Sequence, residues 1–453
     1  MIPKLSEVSP VQAKYLAFID QLKASGFSGD TNPDYANRIV LSTDNSIYQV
    51  LPQGVIYPKN VDDIQRLVTL ANQDGFQDIV LSPRGGGTGT NGQSLTDGLV
   101  VDLSKYMNKI LEVNVEEGWA RVQTGVVKDQ LNKAIKADGL FFAPELSTSN
   151  RATIGGMINT DASGQGSVMY GKTRDHVLQL TTVLLDGSTW LSNPINEQQL
   201  EEIKQGNDYA AHVHRVVDEA WQNNQQAIED TFPKLNRCLT GYDLAHIRTQ
   251  NNEFDLNAVL CGSEGTLGFI VEAKINLLPI PQFAALVNIR YNSFEASLRH
   301  ARELLAAAPT SIETVDSKVL GLAKNDIVWN TVAEFFPDVA GEDIQGINLV
   351  EYTDNDAAQL EARIKALTDT LDSAVSSSVS NDSGALGYTV ASGHANVNKI
   401  WGMRKKSVGL LGNVDSEKRP IPFVEDTAVP PEHLADFIME FRAVLDSYGV
   451  QYG

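Results

Sequence analysis

Apolar positions recur at near-helical spacing through residues 11–26, with Tyr15, Leu16, Ile19 and Leu22 in register, and predict an amphipathic helix. Val55–Tyr57 reads as a short strand, after which Pro58-Lys59-Asn60 opens a helix carrying Val61, Ile64, Leu67, Val68 and Ala71. Two apolar runs, Ile79–Leu81 and Leu99–Leu103, then flank a stretch with almost no side chains. Leu111–Val115 and Ala120–Val122, joined at Glu117-Gly118, predict a hairpin, and Val127–Ala137 a helix capped by Gly139. From Pro144 to Gly171 the chain is rich in Gly, Ser, Thr and Asn without periodicity; a packed domain tolerates so long an irregular stretch mainly when it is functional. Residues 197–230 read as solvated helix, and Phe269–Leu278 as a strand. Pro279-Ile280-Pro281 marks a boundary. Beyond it Leu286–Tyr291, Phe294–Ala307, Ile347–Tyr352 and Ala357–Leu371 alternate strand and helix, which predicts a separate α+β domain.

The stretch between the first two runs, Pro83-Arg-Gly-Gly-Gly-Thr-Gly-Thr90 and onward, lets backbone N–H groups crowd a ligand, and phosphates are the ligands that require this. Gly87–Gly92 fits G-x-G-x-x-G, but a dinucleotide fingerprint needs a helix after the third glycine, and here a turn and the strand Leu99–Leu103 follow. Gly166–Thr173 fits the Walker A spacing, yet small polar residues precede it and the strand-like Val177–Asp186 follows, so both flanks are wrong for a P-loop. A third glycine cluster lies at 262–268. Three clusters of small residues flanked by strands, at 85–92, 155–171 and 262–268, point to one extended, phosphate-bearing cofactor.

The length of 453 residues allows two or three domains at ~100–200 residues each. A formal charge of −21 argues against nucleic acid and anionic membrane surfaces and requires any anionic substrate to be met by locally concentrated cations. The two cysteines, Cys238 and Cys261, form no disulfide, zinc or iron–sulfur motif. No leader-like core occurs in Met1–Pro10 and no run approaches ~18 apolar residues, so a cytoplasmic location without a transmembrane segment is expected.

Read in order, these motifs resemble the FAD-linked oxidases and dehydrogenases of the vanillyl-alcohol oxidase and D-lactate dehydrogenase type. Ser42–Tyr48 with Pro52 and Val55–Pro58 is similar to the family's opening motif, and Trp401–Arg404 and Pro422–Pro430 to its substrate-binding cap. The resemblance implies an α+β fold: an N-terminal helical segment at 1–40, a two-subdomain PCMH-type FAD-binding domain at 41–281 and an α+β cap at 282–453. It implies FAD contacts at Pro83, Arg84, Gly85, Gly86, Gly87, Thr88, Gly89, Thr90 and Asn91. A second set is Pro144, Ser149, Thr153, Gly155, Gly156, Asn159, Ser163, Gly164, Tyr170 and Gly171, with Gly155 and Gly156 permitting close approach to the isoalloxazine. Glu264, Gly265, Gly268 and Ile270 form the third. Arg84 either pairs with a phosphate or sits at a strand end. Relatives have a run like Asn-Ala-Gly-Gly at Thr160–Gly164, and Asp161 there either repels a phosphate or bonds backbone amides. With no His or Cys in 81–105 or 144–171, the FAD is expected to be non-covalent.

The cap offers cations at Arg404-Lys405-Lys406 and Lys418-Arg419, of which the lysines read equally well as a solvated helix face. By resemblance Arg404 grips the α-carboxylate of a small 2-hydroxy acid and Arg419 a distal carboxylate, favouring a dicarboxylate such as D-2-hydroxyglutarate. The expected reaction is hydride transfer to flavin N5, with electrons leaving to an acceptor other than NAD. No histidine has motif support as the base; Glu425 and Asp426 are either metal ligands or structural anchors. The strand-like tail Val450–Gly453 looks cut, and the general appearance is that of the N-terminal flavin half of a long bacterial class bearing an iron–sulfur cluster in its other half. On that reading the base lies beyond Gly453, and the chain binds FAD with little or no turnover. A non-catalytic FAD-binding electron-transfer subunit is the alternative, and a nucleotide enzyme using Gly166–Thr173 a third.

Overall fold

The computed structural model describes residues 10–237, 241–376, 383–410, 421, 427–450 and 452. Arg419, Glu425 and Asp426, together with Lys418, lie outside the described residues. The chain divides into two units. The first comprises residues 1–163, 172–234 and 238–280, the second 164–171, 235–237 and 281–453.

In the first unit, β1 (Asp30–Asn32), β2 (Gly54–Tyr57), β3 (Leu81–Arg84) and β4 (Leu99–Asp102) form a sheet in the order β1-β2-β4-β3. β4 lies parallel to both β2 and β3, and β2 and β4 are almost wholly buried, as in a parallel sheet covered on both faces. The helix Ala13–Ala24 and the helix Val61–Ala71, capped by Asn60, pack on this sheet through Phe18, Ile19, Leu22, Ile64 and Leu67. The N-terminal helix therefore belongs to this core and is no separate segment. Its buried stripe is Tyr15, Phe18, Ile19 and Leu22, the i, i+3, i+4, i+7 set, while Leu16 is exposed. β3 begins two residues later than Ile79 and carries the chain straight into the glycine loop. Pro83 is tolerated because β3 is an edge strand.

The hairpin β5 (Ile110–Asn114) and β6 (Trp119–Gln123) forms where the pattern places it. Following it are β7 (Leu140–Phe141), β8 (Val177–Val183), β9 (Thr189–Ser192), β10 (Phe269–Asn276) and β11 (Leu278–Pro279). β5-β6-β10-β8-β9 make an antiparallel sheet, and β7 pairs with β11. Ala120, Val122, Leu180, Ala273 and Ile275 bury against the helix Lys128–Ile135, which ends at Gly139 in the left-handed region, φ +73°. Residues 197–230 break into Glu197–Lys204, Tyr209–Asn223 and Gln225–Thr231. The Pro144–Gly171 stretch, expected to be irregular, contains the short helices Ile154–Asn159 and Ser167–Tyr170, too short for a periodic pattern to show.

The second unit is a four-stranded antiparallel sheet of β12 (Phe283–Tyr291), β13 (Ser311–Asp316), β14 (Gly346–Asp354) and β15 (Ala385–Ser392), in the order β13-β14-β12-β15. Strand alternation splits β12 between two cores. Val287, Ile289 and Tyr291 pack with Leu304, Leu360 and Leu367 of the helices Phe294–Leu304 and Ala357–Ser376. Ala284 and Leu286 pack with Leu320 and Ile400 of the helices Ser317–Lys324 and His394–Leu410. The strand expected at 450–453 is absent from the described residues there: the helix Leu434–Ser447 ends in a turn, and neither Val450 nor Tyr452 is in a strand. Among the described residues no helix is long and apolar enough to cross a membrane.

Candidate functional site

The first and third glycine clusters and the part of the second up to Asn159, far apart in the chain, meet within the first unit. A Cβ on Gly85 would lie 2.2 Å from Thr153 Oγ1, one on Gly86 2.3 Å from the Arg151 carbonyl oxygen, and one on Gly265 2.4 Å from Pro83 Cγ. Real Cβ atoms do not approach so closely; at Gly86 the obstacle is backbone and at Gly265 a proline ring, whereas at Gly85 it is the Thr153 side chain, which would have to turn away. Asn159, ending the helix Ile154–Asn159, ties the third cluster to the second. Its Oδ1 accepts from Gly265 N–H at 3.0 Å, its carbonyl from Glu264 N–H at 2.9 Å, and its Nδ2 donates to Gly155 O at 2.8 Å. Thr153 caps that helix, accepting from Gly156 N–H at 3.2 Å.

The opening motif supports the loop from its other side. Asn45 N–H donates to Gly87 O at 3.1 Å, and Ser94 Oγ to Asp44 at 3.0 Å. Arg84 is buried and donates to the carbonyls of Thr43 at 2.7 Å and Leu41 at 3.2 Å, contacts that fit its strand-end reading. Asn91 N–H is turned to Gln93 Oε1. The amides of Gly86, Gly87, Thr88, Gly89 and Thr90, by contrast, have no hydrogen-bond acceptor among the described residues. A run of unsatisfied loop amides is the donor set that a pyrophosphate requires, and the residues present fit FAD's phosphates.

Other expected contacts face the protein. Gly155 is needed for packing, because a Cβ there would lie 2.7 Å from Thr124 Cβ. Ile270 is in the core and its carbonyl accepts from Thr124 Oγ1 at 2.8 Å, so its side chain presents nothing to a cofactor. Pro144 and Ser149 are buried, and Ser149 Oγ donates to Asp129 at 3.2 Å. Gly268 adopts φ +148° with its missing side chain against the Val183 carbonyl. Ser163 is half-buried at the end of this unit's first segment, and Gly164, Tyr170 and Gly171 fold with the second unit.

Beneath the clusters lies an ionic floor. Asp161, at φ +47° and buried, meets Lys172 Nζ at 2.6 Å and accepts from Arg174 N–H at 2.9 Å. It thus bonds a backbone amide rather than confronting a phosphate. The Walker-like lysine is itself buried, and Thr173 Oγ1 donates to Ala162 O at 2.7 Å, so Gly166–Thr173 is no nucleotide loop. Arg174 pairs with Asp243, which also bonds His246 Nδ1 at 2.8 Å.

Glu264, at φ +52°, is exposed as a residue, and desolvation of its carboxyl pushes it up to about 7. Between the unfolded value of about 4.5 and about 7, the folded chain holds a proton the unfolded chain has released, so stability falls as pH rises through that window. Urea unfolding at a series of pH values should show this component, and Glu264→Gln should flatten it; identical profiles for the two proteins would sink the assignment.

In the second unit Arg404 is half-buried and its Nε donates to Glu313 at 2.7 Å. Nearby in the fold, Glu351 of β14 accepts from Trp401, one turn before Arg404 on the same helix, and from Gln165, a cluster that periodicity does not reveal. The one signal in the sequence is an acid inside the apolar strand INLVEYTD. Two histidines are structural in setting: His214 bonds Ala210 O, His300 bonds Tyr291 Oη, and burial lowers both. Among the described residues no group of three or more His, Cys, Asp or Glu is arranged to hold a metal ion.

Fold and loop cradle together define a class of FAD-binding proteins. Residues 52–192 match the FAD binding domain family and residues 280–453 the family of FAD linked oxidases, C-terminal domain; the chain belongs to the FAD-linked oxidases and dehydrogenases. Within that class it is similar to D-2-hydroxyglutarate dehydrogenases. The one from Pseudomonas putida is 58% identical over 453 residues, and the one from Escherichia coli 50% over 454, each covering 100% of this chain and 44% of the relative. The chain therefore spans less than half the length of these relatives. A solved structure of alkyldihydroxyacetonephosphate synthase shares the fold, with a TM-score of 0.62 at 18% identity, covering 91% of this chain and 71% of the other.

Proposed function

We propose that this chain carries the flavin chemistry of an FAD-dependent dehydrogenase that oxidises a D-2-hydroxy acid of the 2-hydroxyglutarate type. The observation that carries the reading is the row of amides from Gly86 to Thr90 with no acceptor among the described residues, framed by Gly86 and Gly265, where a side chain would meet backbone or a proline ring. Bound non-covalently there, FAD supplies a hydride acceptor. The protein's own part is to hold the pyrophosphate through those amides and, through Arg404, to grip a carboxylate, for which a guanidinium offers a planar fork. Glu313 fixes that side chain from its Nε edge. Electrons then pass to an acceptor other than NAD.

The purified chain should be yellow, and D-2-hydroxyglutarate added without oxygen should bleach the flavin band. Arg404→Ala should raise the substrate concentration needed for half-bleaching at least ~30-fold, about 2 kcal/mol for a lost charge-assisted contact. A colourless protein, or flavin indifferent to every 2-hydroxy acid, would overturn the reading. Arg419→Ala should weaken the response to D-2-hydroxyglutarate far more than that to D-lactate; equal loss for both would remove the distal-carboxylate role.

A further inference from the structure

A carboxylate withdrawn from water is normally met by a cation, because its desolvation is otherwise uncompensated. Glu351 makes no salt bridge to a Lys or Arg among the described residues, although His394 acts on it electrostatically. Although part of the residue reaches the surface, its carboxyl lies deep and burial raises its pKa. It accepts three hydrogen bonds, each from a different piece of the second unit. Ser311 Oγ of β13 donates to Oε2 at 3.0 Å, Gln165 Nε2 to Oε2 at 3.2 Å, and Trp401 Nε1 to Oε1 at 3.2 Å.

The origin of two of these donors gives the cluster meaning. Gln165 belongs to Gly164–Gly171, eight residues that leave the first unit at Ser163, fold with the second, and return at Lys172. Trp401 lies three residues before Arg404, on the same helix face. The strand registers continue the pattern on either side. Thr353, two residues along β14, lies 3.5 Å from Tyr170 Oη and 2.9 Å from Thr310 Oγ1. Glu313, two residues along β13 from Ser311, holds Arg404.

We propose that Glu351 is a positioning residue that fixes the Gly164–Gly171 excursion and the Trp401–Arg404 turn on one strand, so that a segment assigned to the flavin by family resemblance and the substrate cation are set by a single carboxylate. This rests on that resemblance for the flavin contact and on the proposed function for Arg404, but on neither for the coupling between them. The residue type follows from the donor count. A carboxylate accepts all three hydrogen bonds, whereas a glutamine would turn an N–H toward at least one donor.

Hydrogen–deuterium exchange on the full chain separates the arms. Gln165→Ala should speed exchange over 164–171 roughly tenfold and leave 394–406 unchanged; Trp401→Phe should do the reverse; Glu351→Gln should speed both. Absorbance titrations supply a readout that a general loss of stability would not split. The Kd for FAD should rise about tenfold in Gln165→Ala and the Kd for D-2-hydroxyglutarate about tenfold in Trp401→Phe, with both rising in Glu351→Gln. Glu351→Gln with wild-type exchange in both segments, or three variants that loosen both segments alike, would overturn the proposal. A wild-type chain that binds no flavin would end the proposed function while leaving the exchange result standing.

Discussion

A Gly86→Ala variant should purify almost free of flavin. The added Cβ would lie 2.3 Å from the Arg151 carbonyl oxygen, with backbone on both sides, so nothing flexible is available to yield. The loop must retreat by about 1 Å, because packed atoms do not interpenetrate. That displacement acts directly on the amides from Gly86 to Thr90, whose value as donors depends on convergence. A hydrogen bond stretched beyond ~3.5 Å is lost, and bonds to a charged acceptor are worth roughly 1.5–3 kcal/mol each. Losing two weakens FAD by on the order of 3–6 kcal/mol, more than a hundredfold in Kd. Gly86 is exposed, so the fold itself should survive, and the far-UV circular dichroism should match the wild type. Gly89→Ala is the internal control. Its Cβ would meet only the side chain of Gln93, which can swing away, and flavin content should fall severalfold at most. The absorbance ratio of flavin to protein after gel filtration checks both. Full flavin in Gly86→Ala would mean that the amide row is not the phosphate site.

What the chain discloses in advance follows from how local each cause is. β2, β4, the β5–β6 hairpin and the helix Val61–Ala71 are legible because a buried run, a turn signal or a full amphipathic stripe decides each within a few residues. The helix Ala13–Ala24 is legible in kind but not in phase: Leu16 and Phe18 are both apolar, and only the sheet beneath selects Phe18. β13, with Glu313 and Thr314 in its middle, lacks any apolar alternation; pairing with β14 makes it a strand. The glycine clusters announce a phosphate-bearing ligand by composition, but their convergence on Thr153, Arg151 and Pro83 is purely tertiary.

The same distinction sorts the individual site residues. Arg84 stands inside a glycine motif, where a cation invites a phosphate partner, yet the carbonyls of Leu41 and Thr43, about forty residues earlier, claim it. Ile270 would share a face with Glu272 and Lys274 by strict alternation; it joins the core of Ala273 and Ile275 because β10 bulges between Ile270 and Glu272, which the sequence does not announce. Asp161 offers two chemistries in sequence, and the choice is made by Lys172, whose own motif points elsewhere. Where a residue's partner lies beyond the local element, the residue type alone leaves its role open.

That partnership yields the second large effect. Asp161→Asn should destabilise the chain by about 3–5 kcal/mol at pH 7, the usual cost of removing one member of a buried ion pair. Both side chains are almost fully enclosed, at 1% for Lys172 and 6% for Asp161, so water cannot take over the solvation of the ammonium. Asparagine suits the test because it tolerates the left-handed backbone, φ +47° here, and its amide oxygen can still accept from Arg174 N–H. Strain and the backbone bond are thereby held nearly constant while the carboxylate charge is withdrawn. The double variant Asp161→Asn with Lys172→Met removes the buried charge as well and should recover most of the loss, because an apolar replacement needs no counter-ion. Urea midpoints at constant m-value measure both differences. Flavin retention should follow stability in this series, since the floor lies under the loops and Gly262 N–H donates to Ile158 O at 2.9 Å in the helix that leads to Asp161. A single variant as stable as the wild type would show that the pair is solvated and that the glycine clusters stand without it.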